Sequence, residues 1–173
     1  LKILVVDDEK EHLEFLKKLL KKEKHSVLTA NNGAQALNIL KENEVDLILS
    51  DVNMPVLDGI RLLKITQQQY PHIFVILITA YANVDIAIEA LRYNAFDFIK
   101  KPYELSEVLL KVQRVQQRIA LLKQLKENEE KLRQSNRLSS IGVLTAGLMH
   151  EINNPNTFIT GNIDFIIKLL PIL

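Results

Sequence analysis

The sequence predicts an α/β chain: a five-stranded parallel sheet with helices on both faces, followed by a long helical extension. Three observations predict it. Short apolar runs alternate with stretches whose apolar residues recur at helical spacing, which argues for parallel strands joined by crossover helices. Some of those runs are apolar at every position, as strands covered on both faces are. From Glu104 onward the helical pattern continues past the point where a sheet domain would close.

Composition narrows the classes. The chain has 173 residues, 47% of them apolar, which is room for a core and an extension. A net charge of +1 argues against a nucleic-acid grip by bulk electrostatics. No cysteine is present, which excludes disulfides, thiolate metal sites and a cysteine nucleophile and is compatible with a cytoplasmic setting. No apolar run reaches the ~18 residues a membrane helix needs. The start lacks the pattern of a signal peptide, and both ends read as cuts in a longer protein.

In chain order, Lys2 to Val6 is the first strand and ends in Asp7-Asp8-Glu9. Leu13, Leu16, Leu19 and Leu20 then mark the apolar stripe of a helix. Val27 to Ala30 is the second strand, and Asn31 or Asn32 caps the helix that turns Ala36, Leu37 and Leu40 inward. Val45 to Ser50 is the third strand, with Asp51 at its carboxyl end and Pro55 breaking the run. Asp58-Gly59 opens a helix with Ile60, Leu63 and Ile65 inward. Ile73 to Ile78 is a fully apolar fourth strand ending in Thr79-Ala80. Asn83 caps a helix to Tyr93, and Phe96 to Ile99 is the fifth strand, ending in Lys100-Lys101-Pro102.

Five such units fit the flavodoxin-like strand order 2-1-3-4-5, in which strands one and three are neighbours at the switch point. That order places Asp7 and Asp8 beside Asp51, with Thr79 and Lys101 on the same edge. Any one of these at a strand end reads as a solvated polar residue; all five at matching ends do not. Clustered carboxylates repel, and a hard divalent ion such as Mg2+, which takes oxygen ligands and keeps waters that a phosphate can replace, resolves the repulsion. A carboxylate left partly free can attack phosphorus. A hydroxyl and an ammonium opposite it can hold phosphoryl oxygens.

Val5-Val6-Asp7-Asp8-Glu9, Ser50-Asp51-Val52-Asn53-Met54-Pro55 with Asp58-Gly59, Thr79-Ala80 and Lys101-Pro102 together resemble the receiver domain of two-component response regulators, over residues 1–118. The resemblance implies that Asp51 accepts the phosphoryl group. It implies that Asp8 and Asp51 bind Mg2+ directly with the main-chain carbonyl of Asn53, and Asp7 through water. Thr79 would hydrogen-bond the phosphoryl group and Lys101 would pair with it. The peptide before Pro102 is expected to be cis. Phe98 stands where the family keeps a switching aromatic; an ordinary core aromatic is the other reading.

In the extension, Leu105, Val108, Val112, Val115, Ile119 and Leu122 step by three and four, the spacing of a coiled-coil seam. The first turns also fit a fifth helix packed on the sheet. Residues 119–137 read as a helical connector, charged towards its end. The seam returns at Leu138, Ile141, Thr145, Leu148 and Ile152, and His150 lies about 200° from both Leu148 and Ile152, away from the stripe. A zinc-protease pair would need a second histidine at position 154, which is Asn154.

Arg137-Leu138-Ser139-Ser140-Ile141-Gly142, Ala146-Gly147 and His150-Glu151-Ile152-Asn153-Asn154-Pro155 resemble the dimerisation and phosphotransfer helix of sensor histidine kinases, over residues 138–173. The resemblance implies His150 as a phospho-accepting histidine, Glu151 as its general base, and Asn154 as a group used in dephosphorylating the partner. It implies a parallel homodimer through the C-terminal helix, an upstream histidine kinase or phosphotransfer protein, and a downstream response regulator. The expected parent is a protein histidine kinase, with ATP bound only in a domain beyond Leu173. A response regulator whose output is dimerisation or partner binding is the alternative. A magnesium phosphatase is disfavoured because Asn53 stands where a second acid would be needed.

Overall fold

The computed structural model describes residues 1–80 and 84–134, without the side chains of 84–87. Residues 1–120 form one compact unit. Its elements run β1 (Lys2–Val6), α1 (Lys10–Lys22), β2 (Ser26–Ala30), α2 (Gly33–Glu42), β3 (Leu47–Asp51), α3 (Gly59–Gln69), β4 (Phe74–Thr79), α4 (Val84–Arg92) and β5 (Asp97–Lys100). A further helix, α5, covers 105–134. The sheet is parallel throughout, in the order β2-β1-β3-β4-β5, as the sequence predicts.

This order divides the helices between the faces. A β-α-β crossover between parallel strands is right-handed. The step from β1 to β2 runs one way along the sheet; the steps from β2 to β3, β4 and β5 run the other. Right-handed crossovers in opposite directions lie on opposite faces. Accordingly Leu13, Leu16 and Leu20 of α1 share a core with Ile3, Val5, Leu47, Leu49, Ile76 and Ile78. Ala36 and Leu40 of α2, Leu62 and Leu63 of α3, and Ala90 of α4 share the other with Leu4, Val6, Ile48, Val75 and Leu77. Successive strand residues point to opposite faces, so the all-apolar runs fill both cores.

Local signals place the helix starts. Asn32, not Asn31, caps α2, its side chain accepting from the Gln35 N–H at 2.9 Å. Asp58 caps α3, accepting from the Arg61 N–H at 2.7 Å. The expected cap Asn83 lies outside the described residues. Strand bounds shift by one or two residues from expectation: β3 begins at Leu47 and includes Asp51. The buried face of α3 is Gly59, Leu62, Leu63 and Thr66, while Ile60 is only partly buried. Ile65 does not turn into the core because the helix is rotated to seat Gly59 against β3.

The expected seam of α5 is partly used inside the domain. Val108, Val112 and Val115 are buried on the α1 face of the sheet, and Ile119 packs against them. The fifth-helix reading therefore extends further along α5 than its first turns. Leu121, Leu122, Leu125 and Leu132 are exposed. No described helix is long and apolar enough to cross a membrane.

Candidate functional site at the carboxyl edge of the sheet

The ends of β1, β3 and β5 bring Asp7, Asp51 and Lys101 together. Register does this: Val6 pairs with Ser50, Asp51 with Ile78 and Thr79 with Lys100, so each next residue stands at one edge. The Lys101 N–H also donates to the Thr79 carbonyl at 2.7 Å, which carries the alignment one residue past the strands. The Lys101-Pro102 peptide is cis, as the sequence resemblance implied.

Each buried carboxylate is fixed in the same way. Asp7 Oδ1 accepts from the Glu9 N–H at 2.9 Å, and Asp51 Oδ2 accepts from the Asn53 N–H at 2.7 Å. These are local turns closed by a side chain on the backbone two residues on. The other oxygens face one ammonium: Lys101 Nζ lies 2.7 Å from Asp51 Oδ1 and 3.2 Å from Asp7 Oδ2. Asp7 is 2% exposed and Asp51 6%. Thr79 is buried at the same edge; Asp8 and Asn53 are exposed.

Burial pushes the Asp51 carboxyl above its ordinary value and Asp7 adds to this; Lys101 and the Asn53 N–H oppose the rise without cancelling it. Burial pulls the Lys101 ammonium down, but the hydrogen bond and charge of Asp51, with the charge of Asp7, outweigh it and the net shift is upward. Two buried carboxylates sharing one ammonium leave the edge electron-rich. A site of hard, acidic oxygen donors whose buried member is still electrostatically unsatisfied fits Mg2+.

One neighbour, His12, was not singled out in the sequence. His12 Nδ1 lies 3.4 Å from Asp7 Oδ2 and 3.7 Å from Glu9 Oε1. Among the described residues Asp7, Glu9 and His12 form a cluster with metal-ligating side chains. The available signal was spacing: His12 follows Glu9 by three residues on the first turn of α1, so both share a face. Beside them an open groove of about 570 Å3 is lined by Glu11, His12, Phe15, Lys101, Pro102 and Tyr103. Phe98 is 46% exposed, so it is not a core aromatic; Lys111 Nζ stands 5.7 Å from its ring and 2.6 Å from Asp97 Oδ1. His150, Glu151 and Asn154 lie outside the described residues.

Fold and site define a class: a doubly wound α/β domain with an acidic, lysine-bearing site at the switch point of the sheet. The family follows. Residues 3–113 match the response regulator receiver domain model, and the chain belongs to that family. It is 38% identical over 131 residues to the regulatory protein AtoC of Escherichia coli (strain K12), covering 76% of this chain and 28% of that protein. It is 43% identical over 108 residues to the transcriptional regulatory protein ZraR of Klebsiella oxytoca, covering 62% and 24%. Among solved structures it resembles a response regulator receiver domain protein from Clostridium thermocellum, with a TM-score of 0.66 and 34% identity over 70% of this chain and 98% of that one. The chain spans about a quarter of the length of the curated relatives it matches.

These comparisons correct one expectation. The parent was expected to be a protein histidine kinase, but the relatives are regulatory proteins matched through their receivers, and the family match ends at residue 113. The kinase reading rested on residues 137–173, which lie outside the described residues. The chain is a two-component receiver with a helical extension.

Proposed function

We propose that Asp51 is the phosphoacceptor of this receiver. The carrying observation is the Lys101 ammonium, 2.7 Å from Asp51 Oδ1 at the carboxyl edge of the sheet. A carboxylate oxygen of Asp51 forms the new bond to phosphorus. The bond from phosphorus to the donor atom breaks, and the donor keeps the electron pair. The donor is an upstream histidine kinase or phosphotransfer protein, or a small phosphodonor. When phosphate charge replaces carboxylate charge, Lys101 and Thr79 turn to the phosphoryl oxygens. Asp7, Asp8 and Asp51, with the main-chain carbonyl of Asn53, would hold Mg2+, which supplies charge neutralisation during transfer. A cytoplasmic location goes with this reading.

The output proposed is dimerisation or partner binding through the C-terminal helix, in a parallel homodimer. Leu121, Leu122, Leu125 and Leu132 support it, since a row of exposed leucines is a surface that water disfavours. Phosphorylation acts on it through Thr79, the outward Phe98 and α5. On sequence alone, His150 with Glu151 and Asn154 is carried as a second phosphorelay site, passing phosphate to a downstream response regulator.

The test is incubation of the full chain with labelled acetyl phosphate and Mg2+. Acid-stable, base-labile label in the wild type, lost in Asp51→Asn and kept in His150→Gln, supports the reading. Labelling that is indifferent to Asp51→Asn refutes it.

A further inference from the structure

The Lys101 ammonium has three N–H donors and no acceptor. Two point to carboxylates, Asp51 Oδ1 at 2.7 Å and Asp7 Oδ2 at 3.2 Å. The third neighbour is the imidazole of His12, whose Nδ1 lies 3.3 Å from Nζ. His12 comes from α1, and its side chain is 36% exposed.

We propose that His12 is a positioning residue for Lys101: its Nδ1 accepts the third ammonium N–H and holds the lysine head between Asp7 and Asp51. The inference rests on the reading of Asp51 as phosphoacceptor. The contact requires one tautomer. If Nδ1 carried a proton, a ring donor would face an ammonium donor at 3.3 Å. Such a proton would turn instead to the carboxylates in range, Asp7 Oδ2 at 3.4 Å and Glu9 Oε1 at 3.7 Å. With the proton on Nε2, Nδ1 offers a lone pair and no donor meets a donor.

This arrangement suits group transfer. Lys101 must pass its hydrogen bond from an Asp51 oxygen to a phosphoryl oxygen. Its four-carbon stem is flexible, and ordering it opposes the transfer. A neutral acceptor on the α1 side restrains the head throughout and, unlike a third carboxylate, does not compete with the phosphoryl group for the positive charge. Of the cluster of Asp7, Glu9 and His12, Asp7 and His12 both contact the lysine ammonium.

The test uses the full chain, labelled acetyl phosphate and Mg2+. His12→Leu removes the acceptor and keeps the bulk; His12→Asn returns an acceptor oxygen close to the Nδ1 position. The expected result is a roughly fivefold slower phosphorylation in His12→Leu, about the net worth of one typical hydrogen bond, with recovery to within about twofold in His12→Asn. In a Lys101→Ala background, His12→Leu should add nothing, because the effect passes through the lysine. Imidazole 15N shifts of the neutral ring should show a bare Nδ1 in the wild type. A His12→Leu rate equal to wild type overturns the proposal, as does a full His12 effect without Lys101, or a protonated Nδ1. If the wild type takes no label at all, the assignment of Asp51 fails instead.

Discussion

Gly59→Ala probes the joint between α3 and the phosphoacceptor strand. Gly59 is the first residue of α3 and its N–H donates to the Val52 carbonyl at 2.9 Å. A Cβ added there would stand 2.2 Å from the Asp51 carbonyl oxygen and 3.0 Å from Val52 Cα. Ordinary contact begins at 3.4 Å, so about 1.2 Å of separation is missing. The obstacle is backbone, which cannot rotate aside as a side chain does. Either α3 lifts away from Leu62 and Leu63's seat in the core, or the end of β3 bends. Overpacking of this kind costs about 1–3 kcal/mol, and losing the Gly59–Val52 hydrogen bond about 1 kcal/mol more. Alanine's better helix propensity offsets less than ~1 kcal/mol at a first-turn position. The net expectation is a loss of about 2–3 kcal/mol, read by urea unfolding of the full chain, and a melting temperature lower by roughly 5–10 °C. Gly33→Ala is the milder case: its Cβ would stand 2.7 Å from the Leu57 carbonyl oxygen, also backbone but about 0.7 Å short of ordinary contact, and 2.9 Å from the flexible Leu57 side chain. It should lose roughly 1 kcal/mol. Gly59→Ala should also slow phosphorylation, because the displaced atom belongs to Asp51. Unfolding of Gly59→Ala at the wild-type urea midpoint would refute the reasoning.

Two further outcomes are expected. Because burial raises the Asp51 carboxyl above 3.8, the folded state holds that proton more tightly than the unfolded state does. Stability from this group is therefore lost as pH rises from about that value through the folded value. Without Mg2+, Asp51→Asn should melt above wild type at neutral pH, and the gap should close as the solution is acidified; a gap of opposite sign would contradict the raised value. Val56, beside Pro55 in the loop after β3, has φ 69° and is 79% exposed. A β-branched residue in the left-handed region is strained by about 1–2 kcal/mol, and asparagine tolerates that region better. Val56→Asn should raise the urea midpoint, and a lower midpoint would show that the loop conformation is held by Val56 rather than in spite of it.

The sequence alone determined the strands, their order and the edge on which Asp7, Asp51, Thr79 and Lys101 stand. The reason is that these follow from short-range rules. Apolar runs of strand length have to be covered on both faces, crossovers are right-handed, and a strand-end residue is carried to the edge by register alone. The start of α2 was legible to within Asn31 or Asn32, and that of α3 as the Asp58-Gly59 turn, since a capping side chain bonds to a backbone only three residues away.

What needed the tertiary structure depends on how elements rotate and approach one another. The rotation of α3, set by the contact of Gly59 with β3, decided that Leu62 and Thr66 are buried and Ile65 is not fully so. The packing of α5 on the α1 face claimed Val115 and Ile119 for the receiver core, which a three-and-four repeat cannot distinguish from a seam awaiting a partner. The exposure of Phe98 separated the two readings of that ring. His12 reached the site because α1 and the end of β5 meet there, 89 residues apart in sequence. Periodicity records which face of an element is apolar; only the packed structure decides what that face, or a polar group beside it, meets.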